Sequence, residues 1–267
     1  MKPEAFLSSH SLFTREEFAA VLRGRGRADS TVDSHLARWR RQGRIARVKQ
    51  GVFVRLDTPG TANGPAPDFI ALASRMAPDA AVAYHTALEA HGFAQSIFEQ
   101  LNFVTWTKTK PSSFQGRRFV PVRPRAPLLA AGRGERWIEH AERAGIEIRV
   151  TTLERTVADV LDRPDLAGGV EEVWRSLLSV PALDPGALEE YVTLLGSRTL
   201  AAKVGFFLDA RREELVVPAR LLERLRSRAP RAPVFMDRRR KGRLVARWAL
   251  IVPADLLQND DDGGDPA

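Results

Sequence analysis

Arginine and lysine are the side chains whose number and spacing most constrain the chemistry open to this sequence. Residues 1–56 carry 12 basic and 5 acidic side chains, a net of +7, whereas the other 211 residues together contribute +1. Lys and Arg gain affinity for nucleic acid by displacing counterions condensed on phosphates, so this end of the chain is a candidate nucleic-acid surface. Within it Val32, Leu36 and Trp39, spaced four and three apart, mark the buried stripe of one helix. The opposite side carries Ser30, Ser34 and Arg41, with Thr31 and Arg38 beside them. Such side chains can read base edges in a major groove. His35 and Arg44 complete the set around that helix, and Arg47 and Lys49 on the following β-type run would meet the phosphate backbone. Ser30 has a competing use as the helix N-cap, with Asp33 at the capping-box position.

Other chemistries find little support. The chain has no cysteine, which removes disulfides, thiol nucleophiles and thiolate-ligated metals together. There is no GxxxxGK[ST] phosphate loop, no HExxH, no GxSxG elbow and no GxGxxG after a strand. Of the five histidines, only His85 and His91 are close, and a spacing of six does not place both on one helical face. Neither a metal nor a cofactor is expected. A nuclease would want acidic residues near a lysine on adjacent strands, yet residues 101–127 hold six Lys/Arg and no Asp or Glu. The sequence therefore reads as a binding protein rather than an enzyme. Basic stretches at Trp106–Lys110, Arg117-Arg118 and Arg238–Lys241 are either an extension of a nucleic-acid surface or solvated loops.

The elements that must position these residues follow from period and punctuation. Thr14-Arg-Glu-Glu17 is a capping-box signature for a helix with Phe18, Val21 and Leu22 on one face. Gly24 and Gly26 break it, and a second helix opens around Asp29-Ser30 and runs to Gly43. Arg44–Val48 and Val52–Leu56 read as strands of a hairpin that turns at Lys49-Gln50-Gly51. Helix, turn, helix and basic hairpin is the order of a winged helix-turn-helix, whose second helix enters the major groove. Residues 57–67 contain three Pro and two Gly and almost nothing to bury. The expected organisation is a DNA-binding domain over 1–57, a linker over 58–67, a larger mixed domain over 68–257 and an acidic disordered tail over 258–267. Short strands are expected near residues 80–83, 101–107, 117–122, 146–150, 233–236 and 244–252. Helices are expected near 68–76, 86–91, 153–161, 170–178, 185–195, 199–210 and 218–227. The fold class is α+β, with helices clustered late rather than alternating with strands. No apolar run approaches the roughly 18 residues of a membrane span and no signal peptide is evident, so a cytoplasmic protein of 29.6 kDa is the simplest reading.

Several motifs in order resemble a known family. Leu12-Phe-Thr-Arg-Glu-Glu-Phe18 and the run from Arg40 to Phe53 look like the winged helix of AbiEi-type antitoxin regulators. Tyr84-His85-Thr-Ala-Leu88 with His91-Gly92, then Thr152-Leu-Glu-Arg-Thr-Val-Ala-Asp159, Gly168-Gly169-Val-Glu171 and Lys203-Val-Gly-Phe-Phe-Leu208 are similar to the body of the same family. The resemblance covers most of residues 12–252. It implies the antitoxin of a type IV toxin–antitoxin or phage-abortive-infection system, repressing its own operon at inverted repeats in double-stranded promoter DNA. It also implies that the body counters a nucleotidyltransferase-like toxin without a stable complex. The polar members of the matching motifs, Arg155, Asp159, His85 and Glu154, are the residues it nominates for antitoxin function. Their plain structural role is an i,i+4 ion pair and a cap. A stand-alone repressor with a sensing body is the alternative reading, and a DNA-processing nuclease the weaker one.

Overall fold

The computed structural model describes residues 1–24, 26, 29–56 and 67–257. The expected linker, apart from Pro67, and the expected acidic tail lie outside the described residues, as do Arg25 and Arg27 of the connection between the first helices.

The chain begins with a helix that its sequence does not announce, α1 (Pro3–Ser9), started by a proline in its first turn and burying Phe6 and Leu7. A short strand, β1 (Leu12–Thr14), leads into α2 (Arg15–Arg23). The capping box forms in both directions: Glu17 N–H donates to Thr14 Oγ1 at 3.1 Å and Thr14 N–H to Glu17 Oε2 at 2.6 Å. Helix α3 (Asp29–Arg41) buries Val32, Leu36 and Trp39, as their spacing requires. It starts at Asp29, so Ser30 lies inside its first turn rather than at the N-cap. Asp33 does not close a capping box; its carboxylate receives the Arg15 guanidinium at 2.8 and 2.9 Å. Strands β2 (Ile45–Lys49) and β3 (Val52–Arg55) pair antiparallel. Gly51 supplies the left-handed conformation of their turn, with φ +79°. Strand β1 pairs antiparallel with β3, giving the sheet order β1-β3-β2. Phe6, Phe13, Phe18, Trp39 and Phe53 form the core, with Phe18 and Trp39 ring centres 4.9 Å apart.

Beyond residue 67 the chain runs through α4 (Phe69–Ala73), β4 (Ala81–Val82), α5 (His85–Ala90), β5 (Gln100–Val104), β6 (Ser112–Phe114), β7 (Arg117–Val122) and α6 (Ala126–Ala130). It continues with β8 (Ile138–Arg143), β9 (Ile146–Thr151), α7 (Leu153–Asp162), α8 (Val170–Leu178), α9 (Pro185–Leu195), α10 (Arg198–Ala210) and α11 (Ala219–Arg228). Strands β10 (Val234–Phe235), β11 (Gly242–Val245) and β12 (Leu250–Pro253) precede α12 (Ala254–Leu257). Among the described residues one sheet has the order β6-β7-β5-β4-β9-β8, with β5 parallel to β7, β4 parallel to β9 and β4 antiparallel to β5. A second sheet has the order β10-β12-β11. The class is mixed α and β. The single strand expected over 244–252 is two, because Ala246–Trp248 forms a 3-10 turn that buries the Trp248 indole and folds β11 antiparallel onto β12. Strands β6 and β8 and helix α6 were not anticipated, being too short or too polar to show a period.

Contacts divide the chain into two units. The first comprises Met1–Val82, Glu99–Arg123 and His140–Val150, and the second Ala83–Phe98, Pro124–Glu139 and Thr151–Ala267. The first thus joins residues 1–56 to strands of the six-stranded sheet.

Within the second unit, glycines of the family-like motifs answer to packing. A Cβ on Gly205 in α10 would stand 2.1 Å from Trp248 Cζ3, and Trp248 is fixed by full burial and by its Nε1–H donating to Asp209 Oδ2 at 3.0 Å. Gly168 has φ +81°, and a Cβ there would meet Phe98 Cζ at 2.3 Å. Gly205→Ala is therefore expected to destabilise the protein by about 1–3 kcal/mol through overpacking, although alanine in a free helix is better than glycine by about 1 kcal/mol. Denaturant unfolding decides between the two signs.

Candidate nucleic-acid interface

The outward side of α3 is set by the burial of Val32, Leu36 and Trp39 on its inward side. Ser30, Ser34, Arg38, Arg40 and Arg41 are exposed and Thr31 is half-buried. Ser34 Oγ donates back to the Ser30 carbonyl at 2.9 Å, an i−4 contact that leaves its lone pairs available. Arg40 and Arg41, and Arg47 on β2, make no ion pair or side-chain hydrogen bond among the described residues, and all three are exposed. Arg40 is a member of this row that the sequence reading did not single out.

Arg38 and Arg44 are held by a residue that reading also missed. Glu4 of α1 accepts from Arg38 Nη2 at 3.2 Å and from Trp39 Nε1 at 3.3 Å through Oε1, and from Arg44 Nη2 at 2.7 Å through Oε2. The Arg44 hydrogen bond is the main reason the Glu4 carboxyl lies below the usual range, with burial opposing it. Arg38 Nη2 also donates to His35 Nδ1 at 3.2 Å, and the His35 ring leans on Phe18 and Trp39. Glu4 was invisible in sequence because α1 was.

Lys49 differs from Arg47. Its Nζ donates to the Met76 carbonyl at 2.5 Å and the side chain is half-buried, so it faces the rest of the first unit rather than outward. Desolvation pushes its pKa down.

The residues nominated in the body sit in two buried clusters and one cap. His85 is 1% exposed, lies tilted against Phe98 with ring centres 4.1 Å apart, and places Nε2 3.5 Å from Glu172 Oε1 with neither ring nitrogen hydrogen-bonded. Burial pushes its pKa below the usual histidine value against the pull of Glu172, so the ring is neutral near pH 7. Burial would raise the Glu172 carboxyl, but donors at Gln95 N, Ser96 N and Ser176 Oγ, each at 3.1 Å, outweigh it and hold it low. Arg155 and Asp159 are 1% and 3% exposed, and Arg155 Nε donates to Asp159 Oδ2 at 3.2 Å. Tyr191 donates its hydroxyl to Asp159 Oδ1 at 2.8 Å, and Arg155 Nη1 reaches the Gly134 carbonyl at 3.3 Å. Glu154 accepts from the Asp184 amide at 3.0 Å, tying the start of α7 to the N-cap of α9. These side chains serve the interior and the helix ends. The ion pair, expected at the few tenths of a kcal/mol of an exposed helical pair, is a buried one.

Of the other basic stretches, Arg117 lies over the Phe69 ring at 5.4 Å, and Arg240 pairs with Glu171 and with Asp255. Lys108, Lys110, Arg118, Arg238, Arg239 and Lys241 are exposed. Among the described residues no group of three His, Asp or Glu could hold a metal ion, and no helix is long and apolar enough to cross a membrane.

Fold and surface together define a chain whose N-terminal region is of the helix-turn-helix type. Residues 1–55 match the family model described as transcriptional regulator, AbiEi antitoxin, the family that the motifs resemble. In fold the chain is similar to the crystal structure of the RV2827C protein from Mycobacterium tuberculosis, with a TM-score of 0.58 at 14% identity, over 94% of this chain and 89% of that one. No curated protein matches the sequence significantly.

Arg155→Ala leaves the buried Asp159 carboxylate without its cation, and a loss of about 3–5 kcal/mol in denaturant unfolding is expected; a loss of a few tenths would return the pair to surface behaviour. His85 contributes a pH dependence of definite sign. With its native pKa below the unfolded value of about 6.5, its stabilisation is complete above that pH and is lost as pH falls through the native value. The melting temperature should therefore fall more steeply below about pH 6.5 in the wild type than in His85→Gln, and parallel curves would contradict the assignment.

Proposed function

We propose that residues 1–56 are a winged helix-turn-helix that binds double-stranded DNA, and that the protein represses its own promoter at inverted repeats. The observation that carries this reading is that the guanidinium groups of Arg40, Arg41 and Arg47 are exposed and have no ion pair among the described residues, on a segment of net charge +7. In this reading α3 enters the major groove, where Thr31, Ser34, Arg38 and Arg41 meet bases. Ser30 and His35 flank that face. Arg44 and Arg47 meet phosphates. Lys49 ties the wing to the rest of its unit instead of touching DNA. Glu4 competes with phosphate for Arg38 and Arg44, so binding replaces one set of charge-assisted hydrogen bonds by another.

The family match over residues 1–55 supports the second half of the proposal, an antitoxin that acts in the cytoplasm against a nucleotidyltransferase-like toxin without a stable complex. Because His85, Arg155 and Asp159 are buried, they act in this role by holding the second unit in shape. A stand-alone repressor with a sensing body is the second reading, favoured by a cleft of about 530 Å³ beside the β2–β3 turn, lined by Lys49, Met76 and Arg149 among others.

Binding to the protein's own promoter should show a log–log salt slope of roughly −3 to −6, for about four to six neutralised phosphates. Arg38→Ala and Arg41→Ala should each cost about 1–3 kcal/mol and relax specificity. Glu4→Gln should tighten binding, and Lys49→Met should leave the slope unchanged. A flat salt titration, or arginine variants that bind like wild type, would remove the DNA reading. The same arginine variants should still restore growth to cells expressing a nucleotidyltransferase-like toxin encoded beside the gene. Absence of rescue by the intact wild-type chain would leave the repressor reading alone.

A further inference from the structure

The sheet β10-β12-β11 leaves an apolar row in solvent. Phe235 and Leu244 flank Ile251 in register, Phe235 as its parallel partner on β10 and Leu244 as its antiparallel partner on β11. Side chains in register on neighbouring strands point to the same face. The three therefore form one strip, about 10 Å across at a strand spacing of about 4.8 Å. Phe235 is 46% and Leu244 55% exposed, and Ile251 is half-buried. Its neighbours Leu250 and Val252, which point to the other face, are buried. Single exposed apolar residues are ordinary on a protein surface, whereas a contiguous strip with an aromatic ring in it is a surface for a partner to cover.

Cations frame that strip. Residues 231–243 hold five Arg and one Lys against one Asp, a net of +5. Arg240 is compensated, pairing with Glu171 and, at 3.1 Å, with Asp255. Arg231, Arg238, Arg239, Lys241 and Arg243 are exposed and make no ion pair among the described residues. Because β10 runs parallel and β11 antiparallel to β12, the 237–241 loop crosses the sheet at the end where β12 passes into α12. The Arg240 pairs hold it there, and Asp237 Oδ1 accepts the Arg239 amide at 2.9 Å. Arg238, Arg239 and Lys241 are thus carried on a fastened loop next to the strip. Beside β10 lies a cleft of about 580 Å³, lined by Phe235, Pro233, Met236, Thr199, Asp237 and Arg238 among others. Lys203 also lines it but is spent on the Leu161 carbonyl, so it adds no free charge.

We propose that this face binds a single strand of nucleic acid, with the Phe235 ring stacked on a base and Arg238, Arg239 and Lys241 on the neighbouring phosphates. An exposed ring among uncompensated cations is the chemistry by which single strands are held without regard to sequence. A duplex hides the base faces that the ring would meet and shows only their edges. The cleft is of a size that takes one small-molecule group. A base seated there finds apolar walls at Pro233 and Met236 for its faces, and the Thr199 hydroxyl and Asp237 carboxylate for its edges. An anionic lipid surface also suits cations beside apolar side chains, but it would meet the strip and leave the cleft unused. The site belongs to the second unit and does not rest on the DNA-binding reading of residues 1–56.

The test uses the full chain and a short fluorescent oligothymidylate, followed by anisotropy. Binding is expected to saturate, with a log–log salt slope of about −2 for three phosphates. An oligomer of the same length without bases should bind about fivefold more weakly or worse, and Phe235→Ala should lose about fivefold or more while keeping the slope. Arg238→Gln combined with Arg239→Gln should flatten the slope by about one. Arg41→Ala, on α3, should cost less than Phe235→Ala. If Phe235→Ala fails to give a wild-type melting curve, the double arginine variant decides in its place. No saturable binding, equal binding of the base-free oligomer, or a loss in Arg41→Ala as large as in the variants of this face would overturn the proposal. So would displacement by polyglutamate or by phosphatidylserine vesicles as effective as that by unlabelled oligothymidylate. Loss of promoter binding in a chain that still holds the oligomer would count against the promoter reading alone.

Discussion

A charge taken out of water must be answered by a partner, and much of this protein is arranged around that requirement. In the second unit Arg155 and Asp159 lie in the interior, and each needs more than the other. Tyr191 fills the second carboxylate oxygen and the Gly134 carbonyl takes a second guanidinium nitrogen. The four groups draw α7, α9 and the 134–137 segment together, because none of them can move without stranding a buried charge. His85 meets the same requirement differently. With no hydrogen-bond partner at either ring nitrogen, it stays neutral beside a carboxylate whose lone pairs are occupied by backbone and serine donors.

In the first unit the same requirement shapes a surface rather than a core. Glu4 gathers Arg38, Arg44 and the Trp39 indole N–H, so α1 is fastened across α3 and the residue just before β2. Exposed pairs of this kind contribute little stability. Their effect is on where the arginines point and on what an incoming phosphate must displace. Arg40, Arg41 and Arg47 have no such restraint among the described residues and project into solvent. The cationic surface therefore has two parts, one pre-oriented and one free.

The motif glycines show a different constraint, steric rather than electrostatic. Gly205 is small because Trp248 lies across α10, and Gly168 because Phe98 lies against it while its backbone takes a left-handed conformation. The Lys203 ammonium similarly ends at the Leu161 carbonyl at the close of α7, where it satisfies an orphan acceptor of the helix terminus. Gly168, Gly205 and Lys203 of the family-like motifs thus record how the helices of the body pack.

Several features of the protein followed from sequence alone. The capping box at Thr14, the stripe of Val32, Leu36 and Trp39 and the Gly51 turn were legible because each depends on residues within about two helical turns of each other. The charge asymmetry of residues 1–56 needs no coordinates at all. What tertiary structure decided depends on residues far apart in the chain. Glu4 meets Arg44, Lys49 meets Met76, Arg15 meets Asp33, and Trp248 displaces any side chain at position 205. Helix α1 and strands β6 and β8 escaped notice because short elements carry too few residues to show a period, and are held by neighbours rather than by propensity. Whether a lysine faces DNA or its own fold, and whether an arginine–aspartate pair is surface ornament or core, is a matter of burial. Burial is a property of the packed chain, so spacing could identify the pair while only the fold could say what it is for.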